Sequence, residues 1–129
     1  MKIILATDHA GFKLKEIIKK HLLEDNIDVK DFGAHEYDRL DDYPDFIIPA
    51  AKYISRNKDT IGIILGGSGQ GEAMAANRIK GIRAAVFYGG PKEIVKLSRL
   101  HNNANMLSIG SRFIEVNDVI DIIDFWLTI

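Results

Sequence analysis

Cysteine is absent from all 129 residues. That excludes disulfides, thiolate metal sites and cysteine nucleophiles together, and it fits a reducing compartment. An excess of either charge is also missing. Seventeen Lys and Arg stand against 18 Asp and Glu, for a formal net charge of −1, and the two signs are interspersed. This argues against nucleic acid and anionic membrane as partners. No apolar stretch is long enough to cross a bilayer, and the run opening "MKIILATDHAGFK" is too short for a signal peptide. The expectation is a soluble, cytoplasmic chain forming one domain over residues 1–129.

What is present is an alternation. "KIILAT", "IDVKDFG", "TIGIILGG", "GIRAAVFYGG" and "ANMLSIGSR" read as strands, most of them continuous apolar runs. Between them lie helical patterns. "GFKLKEIIKKHLLEDN" carries apolar residues at helical spacing and a lysine-rich outer face. "FIIPAAKYISR" has Pro49 in its first turn or limiting its start. "GEAMAANRI" and "PKEIVKLSRLHN" follow, the latter opened by Pro91. "NDVIDIIDFWLTI" closes the chain, with Asn117 as its N-cap. The order βαβαβαβαβα predicts an α/β fold, a three-layer α/β/α sandwich on a five-stranded parallel sheet, Rossmann-like. Met74, Met106, Phe125 and Trp126 are expected in the core or at an interface. In such sheets ligands bind beyond the carboxyl ends of the strands. Asp8 and His9, the run Gly66 to Glu72, Gly89 and Gly90, and Gly110 to Arg112 all follow strands.

The densest of these is "GGSGQGE", residues 66–72. Glycines leading into a helix let backbone N–H groups face an anion, which the helix dipole favours. The anion could be a phosphate or an oxyanion that develops only during reaction. The structural alternative is a tight strand-to-helix turn. Glu72, in the first helical turn, could complement the dipole or act as a general base, with the dipole keeping it ionised. Nucleotide loops fit poorly: there is no Gly-Lys-Ser/Thr ending, and Gly67, Gly69 and Gly71 are spaced G-x-G-x-G after the third strand. His101 reads more readily as a helix C-cap partner or a packed core residue than as a catalyst. Asp8 reads as a helix cap, and Arg112 as an anion clamp or a surface ion-pair partner. No metal-ligand spacing is present.

Five motifs, "DHAGFKLK", "DFG", "DYPDF", "GGSGQGEAMAANRIKGIRAA" and "SRLHNNANMLSIGSR", lie over nearly the whole chain. In that order they resemble the ribose-5-phosphate isomerase B family, which includes the galactose-6-phosphate isomerase subunits. The resemblance implies a metal-free, cofactor-free aldose–ketose isomerase of a small sugar phosphate, working through an enediolate. One branch of the family has a cysteine where Gly66 stands, and the other has glycine there and a glutamate after the loop. Gly66 and Glu72 match the second. The resemblance further implies Glu72 as base, His101 as the acid that opens the sugar ring, and Ser68 as a proton relay between two oxygens. Gly67, Gly69, Gln70 and Gly71 would form the anion cradle. Asp8, His9, Asn102 and Arg112 would bind substrate. A homodimer with its site between subunits is implied, and pairing into a tetramer stays open. Ribose-5-phosphate isomerases of this type carry two phosphate-binding arginines after the last helix. The sequence ends at "FWLTI" without them, which leaves Arg112, with Arg39, Lys13 or His9, for the phosphate and leaves the sugar open.

Overall fold

The computed structural model describes residues Met1–Ile129. β1 (Lys2–Thr7) leads through a 3-10 turn (His9–Gly11) into α1 (Phe12–Glu24). Then come β2 (Asp28–Asp31), α2 (Pro44–Arg56), β3 (Thr60–Gly66) and α3 (Gln70–Asn77). β4 (Ala84–Phe87), α4 (Lys92–Leu100), β5 (Met106–Gly110) and α5 (Val116–Leu127) complete the chain. The strands pair in parallel in the order β2-β1-β3-β5-β4. This is the expected α/β/α arrangement.

Alternation along the strands divides the core. Ile3, Leu5, Ile63, Leu65, Leu107 and Ile109 face α1, α4 and α5, where Ile18, Leu22, Val95, Ile122 and Trp126 cover them. Ile4, Ala6, Ile64 and Met106 face α2 and α3, against Ile47, Ala50, Ile54 and Ala76. Because side chains on a strand point alternately to opposite faces, both layers need apolar residues, and the central strands read as unbroken apolar runs. The strand order also fixes where a crevice forms. The chain leaves β1 toward the α1 face and leaves β3 toward the α2/α3 face, so the two connections diverge at neighbouring strand ends. In register, Thr7 stands beside Leu65, and Gly66 beside Gly110.

Several local expectations need correction. The lysine-rich outer face of α1 is not solvated throughout: the Lys15 side chain is 0% exposed. It sits 2.5 Å from Asp31 and 3.0 Å from Glu16, so an ion pair made across α1 and β2 overrides the amphipathic pattern. α2 begins at Pro44, with Pro49 well inside it. α5 begins at Val116, so Asn117 lies in its first turn and Glu115 takes the cap position. β4 is shorter than its apolar run because Gly81, Gly89 and Gly90 take left-handed φ values on either side. Met106 and Trp126 are buried, whereas Met74 is exposed.

Candidate active site

The loop after β3 shows why it is rich in glycine. Gly69 adopts φ +79°, and a Cβ there would stand 3.0 Å from the Ile109 carbonyl carbon. The turn thus lies against the backbone of β5, where only glycine fits. Ser108 Oγ donates to the Gly69 carbonyl at 2.7 Å and fixes that approach. At Gly66 the reason is a neighbour. A Cβ on Gly66 would fall 2.1 Å from the Glu72 carboxyl carbon. The Glu72 side chain therefore folds back over the end of β3 and fills that space. Gly71 likewise makes room for the Tyr43 hydroxyl, and Gly67 for the Arg112 guanidinium.

The N–H groups of Gly67, Ser68 and Gly69 donate to no backbone carbonyl. The Gln70 N–H donates to Ser68 Oγ at 3.2 Å. The carbonyls of Gly66 and Gly67 accept from the N–H groups of Ser111 and Arg112, at 2.9 and 3.1 Å. This continues the β3–β5 ladder and carries Arg112 over the loop. The result is an N-terminal helix turn with unpaired donors, a cation beside it and a carboxylate at its edge. Such an arrangement can hold an anion and move a proton next to it.

Glu72 is 5% exposed. Burial pushes its carboxyl pKa above the usual range, and the nearby Asp8 charge adds to that. The N–H groups of Glu72 itself and of Gly69 work in the opposite direction. These N–H groups favour the ionised form, and burial outweighs them, so the net shift is upward. A buried carboxylate with a raised pKa is a better base once ionised.

Across the crevice, Asp8 caps the 3-10 turn, accepting from the Ala10 N–H at 3.0 Å. His9 follows it and meets Asp41 at 2.7 Å through Nδ1. Donor atoms of Asp8, His9 and Asp41 lie within 4.8 Å of one another. His9 Nδ1 is hydrogen-bonded to Asp41 within this cluster. Asp41 was not singled out in the sequence, since nothing in "DRLDDYPD" tells one acid from another. Tyr43 lies in a recognised motif, but its contact with Gly71 depends on the fold.

Two expected site residues are elsewhere. α4 starts at the carboxyl end of the sheet and runs back, so His101, its C-cap residue, sits near the amino ends of the strands. Asn102 is beside it, its carbonyl accepting from Arg83 Nε just before β4. The strand from Met106 to Gly110 separates the two ends and spans about 13 Å. One chain thus unites Glu72, Ser68, Asp8, His9 and Arg112 but leaves His101 and Asn102 at the opposite pole.

A family model described as Ribose/Galactose Isomerase matches residues 3–129. Ribose-5-phosphate isomerase B of Mycolicibacterium paratuberculosis is 43% identical over 128 residues, covering 99% of this chain and 79% of that one. The solved ribose-5-phosphate isomerase B of Mycoplasma genitalium, with bound ribulose-5-phosphate, superposes with TM-score 0.92 at 40% identity. That match covers 98% of this chain and 82% of the other. A ribose 5-phosphate isomerase of Thermotoga maritima superposes with TM-score 0.91, also at 40% identity, covering 98% and 86%.

Proposed function

The chain belongs to the ribose/galactose isomerase family, and we propose that it interconverts ribose 5-phosphate and ribulose 5-phosphate through an enediolate. The observation that carries this reading is the inward Glu72 carboxylate, seated in the space at Gly66 beside unpaired N–H groups. In the proposed reaction Glu72 takes the proton from C2 of the open-chain aldose. The C–H electron pair forms the C1=C2 double bond, and negative charge develops on O1. The loop of Gly67, Gly69, Gln70 and Gly71 stabilises that charge, with each well-placed donor worth ~3–4 kcal/mol. Ser68 relays a proton from O2 to O1. Glu72 then returns its proton to C1 as the carbonyl forms at C2. Asp8, His9 and Arg112 hold the sugar phosphate.

Solvent exchange tests this directly. In deuterium oxide, deuterium is expected at C1 of ribulose 5-phosphate and at C2 of ribose 5-phosphate, followed by NMR. Binding of either sugar without exchange would instead mark a non-catalytic sugar-phosphate-binding protein.

The reading includes a homodimer in a cytoplasmic setting, where charged sugar phosphates are retained. Its support is topological. His101 and Asn102 are too far from Glu72 to serve the same chain, so a second copy would bring its α4 end to the crevice. Ile94 and Leu100 on α4 and Met74 on α3 are exposed apolar residues suited to that contact. Mixing Glu72→Gln chains with His101→Ala chains, each inactive alone, is expected to restore about a quarter of parent activity. Half the molecules would be mixed dimers, each with one intact shared site. No recovery after subunit exchange would return His101 to its own chain's site or remove it from the reaction.

A further inference from the structure

The contact between His9 and Asp41 joins residues 32 positions apart, and no step above requires Asp41. The contact is double. Asp41 Oδ1 accepts from the His9 backbone N–H at 2.9 Å and lies 2.7 Å from ring Nδ1. One oxygen thus pins the ring against its own backbone. The Asp41 side chain is 10% exposed, and its Oδ2 is buried without a hydrogen-bond partner. Such a carboxylate is costly unless a cation stands beside it, and its ion pair is with His9.

Asp41 is held independently of the ring. Its N–H donates to the Asp38 carbonyl at 3.0 Å, and Asp38 Oδ1 accepts from the Leu40 N–H at 3.0 Å. The acid side chain of Asp38 shapes this turn, so the loop sets the carboxylate and the carboxylate sets the ring. Gripped at Nδ1, the imidazole keeps its proton there in either charge state, which leaves Nε2 as the free nitrogen. The His9 side chain is 25% exposed, just beyond the carboxyl end of β1. Asp41 and Tyr37 face it from the loop after β2, Asp8 from the end of β1, and Arg112 from the turn after β5. The net effect on the His9 pKa is upward from 6.5. The Asp41 hydrogen bond contributes most, burial works against it, the Asp8 and Asp41 charges add, and Arg112 subtracts.

We propose that Asp41 is a positioning residue for the isomerisation, holding His9 through Nδ1 so that Nε2–H faces the crevice as a charged donor to the substrate phosphate, beside Arg112. This rests on the isomerase reading. Asp41 itself touches no substrate. Its removal therefore affects binding in a pH-dependent way rather than the proton transfer at carbon.

The test has two arms on the full chain. In the parent, proton–nitrogen NMR of the His9 ring is expected to show the neutral form protonated on Nδ1, and an Nε2-protonated neutral ring would overturn the proposal. In Asp41→Asn the His9 titration moves down toward the ordinary value, and an unmoved titration is contrary evidence. Kinetics on ribose 5-phosphate form the second arm. At about pH 8 the variant's KM rises roughly tenfold while kcat stays within about twofold; near pH 5.5, where His9 is protonated without help, the KM values converge. A fall in kcat at every pH with KM unchanged would defeat the phosphate role. A parent that neither binds nor isomerises ribose 5-phosphate would overturn the isomerase reading and the phosphate contact with it. The ring tautomer would still report the Asp41 grip by itself.

Discussion

Glu72→Gln lowers kcat for ribose 5-phosphate by ~10²–10⁴-fold, the range general base catalysis supplies, with KM changed little. The substitution keeps the shape that fills the space at Gly66 and removes only the capacity to accept a proton. An interaction used in the transition state and not in substrate binding reduces kcat and kcat/KM together. The variant should also fold at least as well as the parent near neutral pH. The sign follows from the raised pKa. A carboxyl whose folded pKa exceeds its unfolded value contributes stability below the unfolded value and loses it as pH rises through the folded one. Neutral glutamine avoids that loss. Steady-state kinetics and thermal unfolding at the same pH check both halves. Turnover close to that of the parent would remove Glu72 as the base. A lower melting temperature would show instead that the carboxylate stabilises the loop.

Asp31→Ala is expected to destabilise the fold by ~3–5 kcal/mol, the cost of leaving a buried charge without its partner. At this chain length that lowers Tm by roughly 10–20 °C. The Asp31 side chain is 7% exposed and lies 2.5 Å from Lys15 Nζ and 3.2 Å from Lys19 Nζ. It also accepts from the Gly33 N–H at 2.8 Å. Burial would raise the Asp31 pKa, but Lys15, the Gly33 N–H and Lys19 outweigh it and hold it below its usual value. The stability it provides is therefore complete above the unfolded value near 3.8 and lost as pH falls through the lower folded value. The alanine variant lacks that acid limb, which unfolding curves across the acid range would reveal. Replacing both partners, as Lys15→Met with Asp31→Leu, should recover most of the loss, because a buried ion pair often does no better than well-packed apolar groups. Failure to recover would show that Asp31 acts through Gly33 instead. The Gly33 carbonyl accepts from the Thr7 N–H, and the Ala34 N–H donates to the Thr7 carbonyl, both at 2.7 Å. These bonds launch the loop that carries Asp41 toward His9.

The alternation of strand and helix was legible because burial imposes it. A strand covered on both faces must be apolar throughout, and "KIILAT" and "TIGIILGG" can be little else. The glycine loop was legible too, since four glycines in six positions need a backbone reason. The burial of Lys15 was not legible, because helical spacing reports which side a residue lies on, not whether an acid from another element waits there. The fate of "GIRAAVFYGG" was hidden for a related reason. Its apolar content suits a strand, but left-handed glycines at both ends shorten it.

Composition and spacing alone determined that this chain builds a parallel sheet with a glycine-lined helix start after the third strand, because those features depend on local periodicity and backbone freedom. Tertiary structure decided that Glu72 turns inward, that Asp41 reaches His9, and that His101 ends up at the far pole of the sheet. Each of these depends on which strand ends become neighbours and in which direction each helix runs. Such facts arise when the strands pair, and no window of consecutive residues contains them.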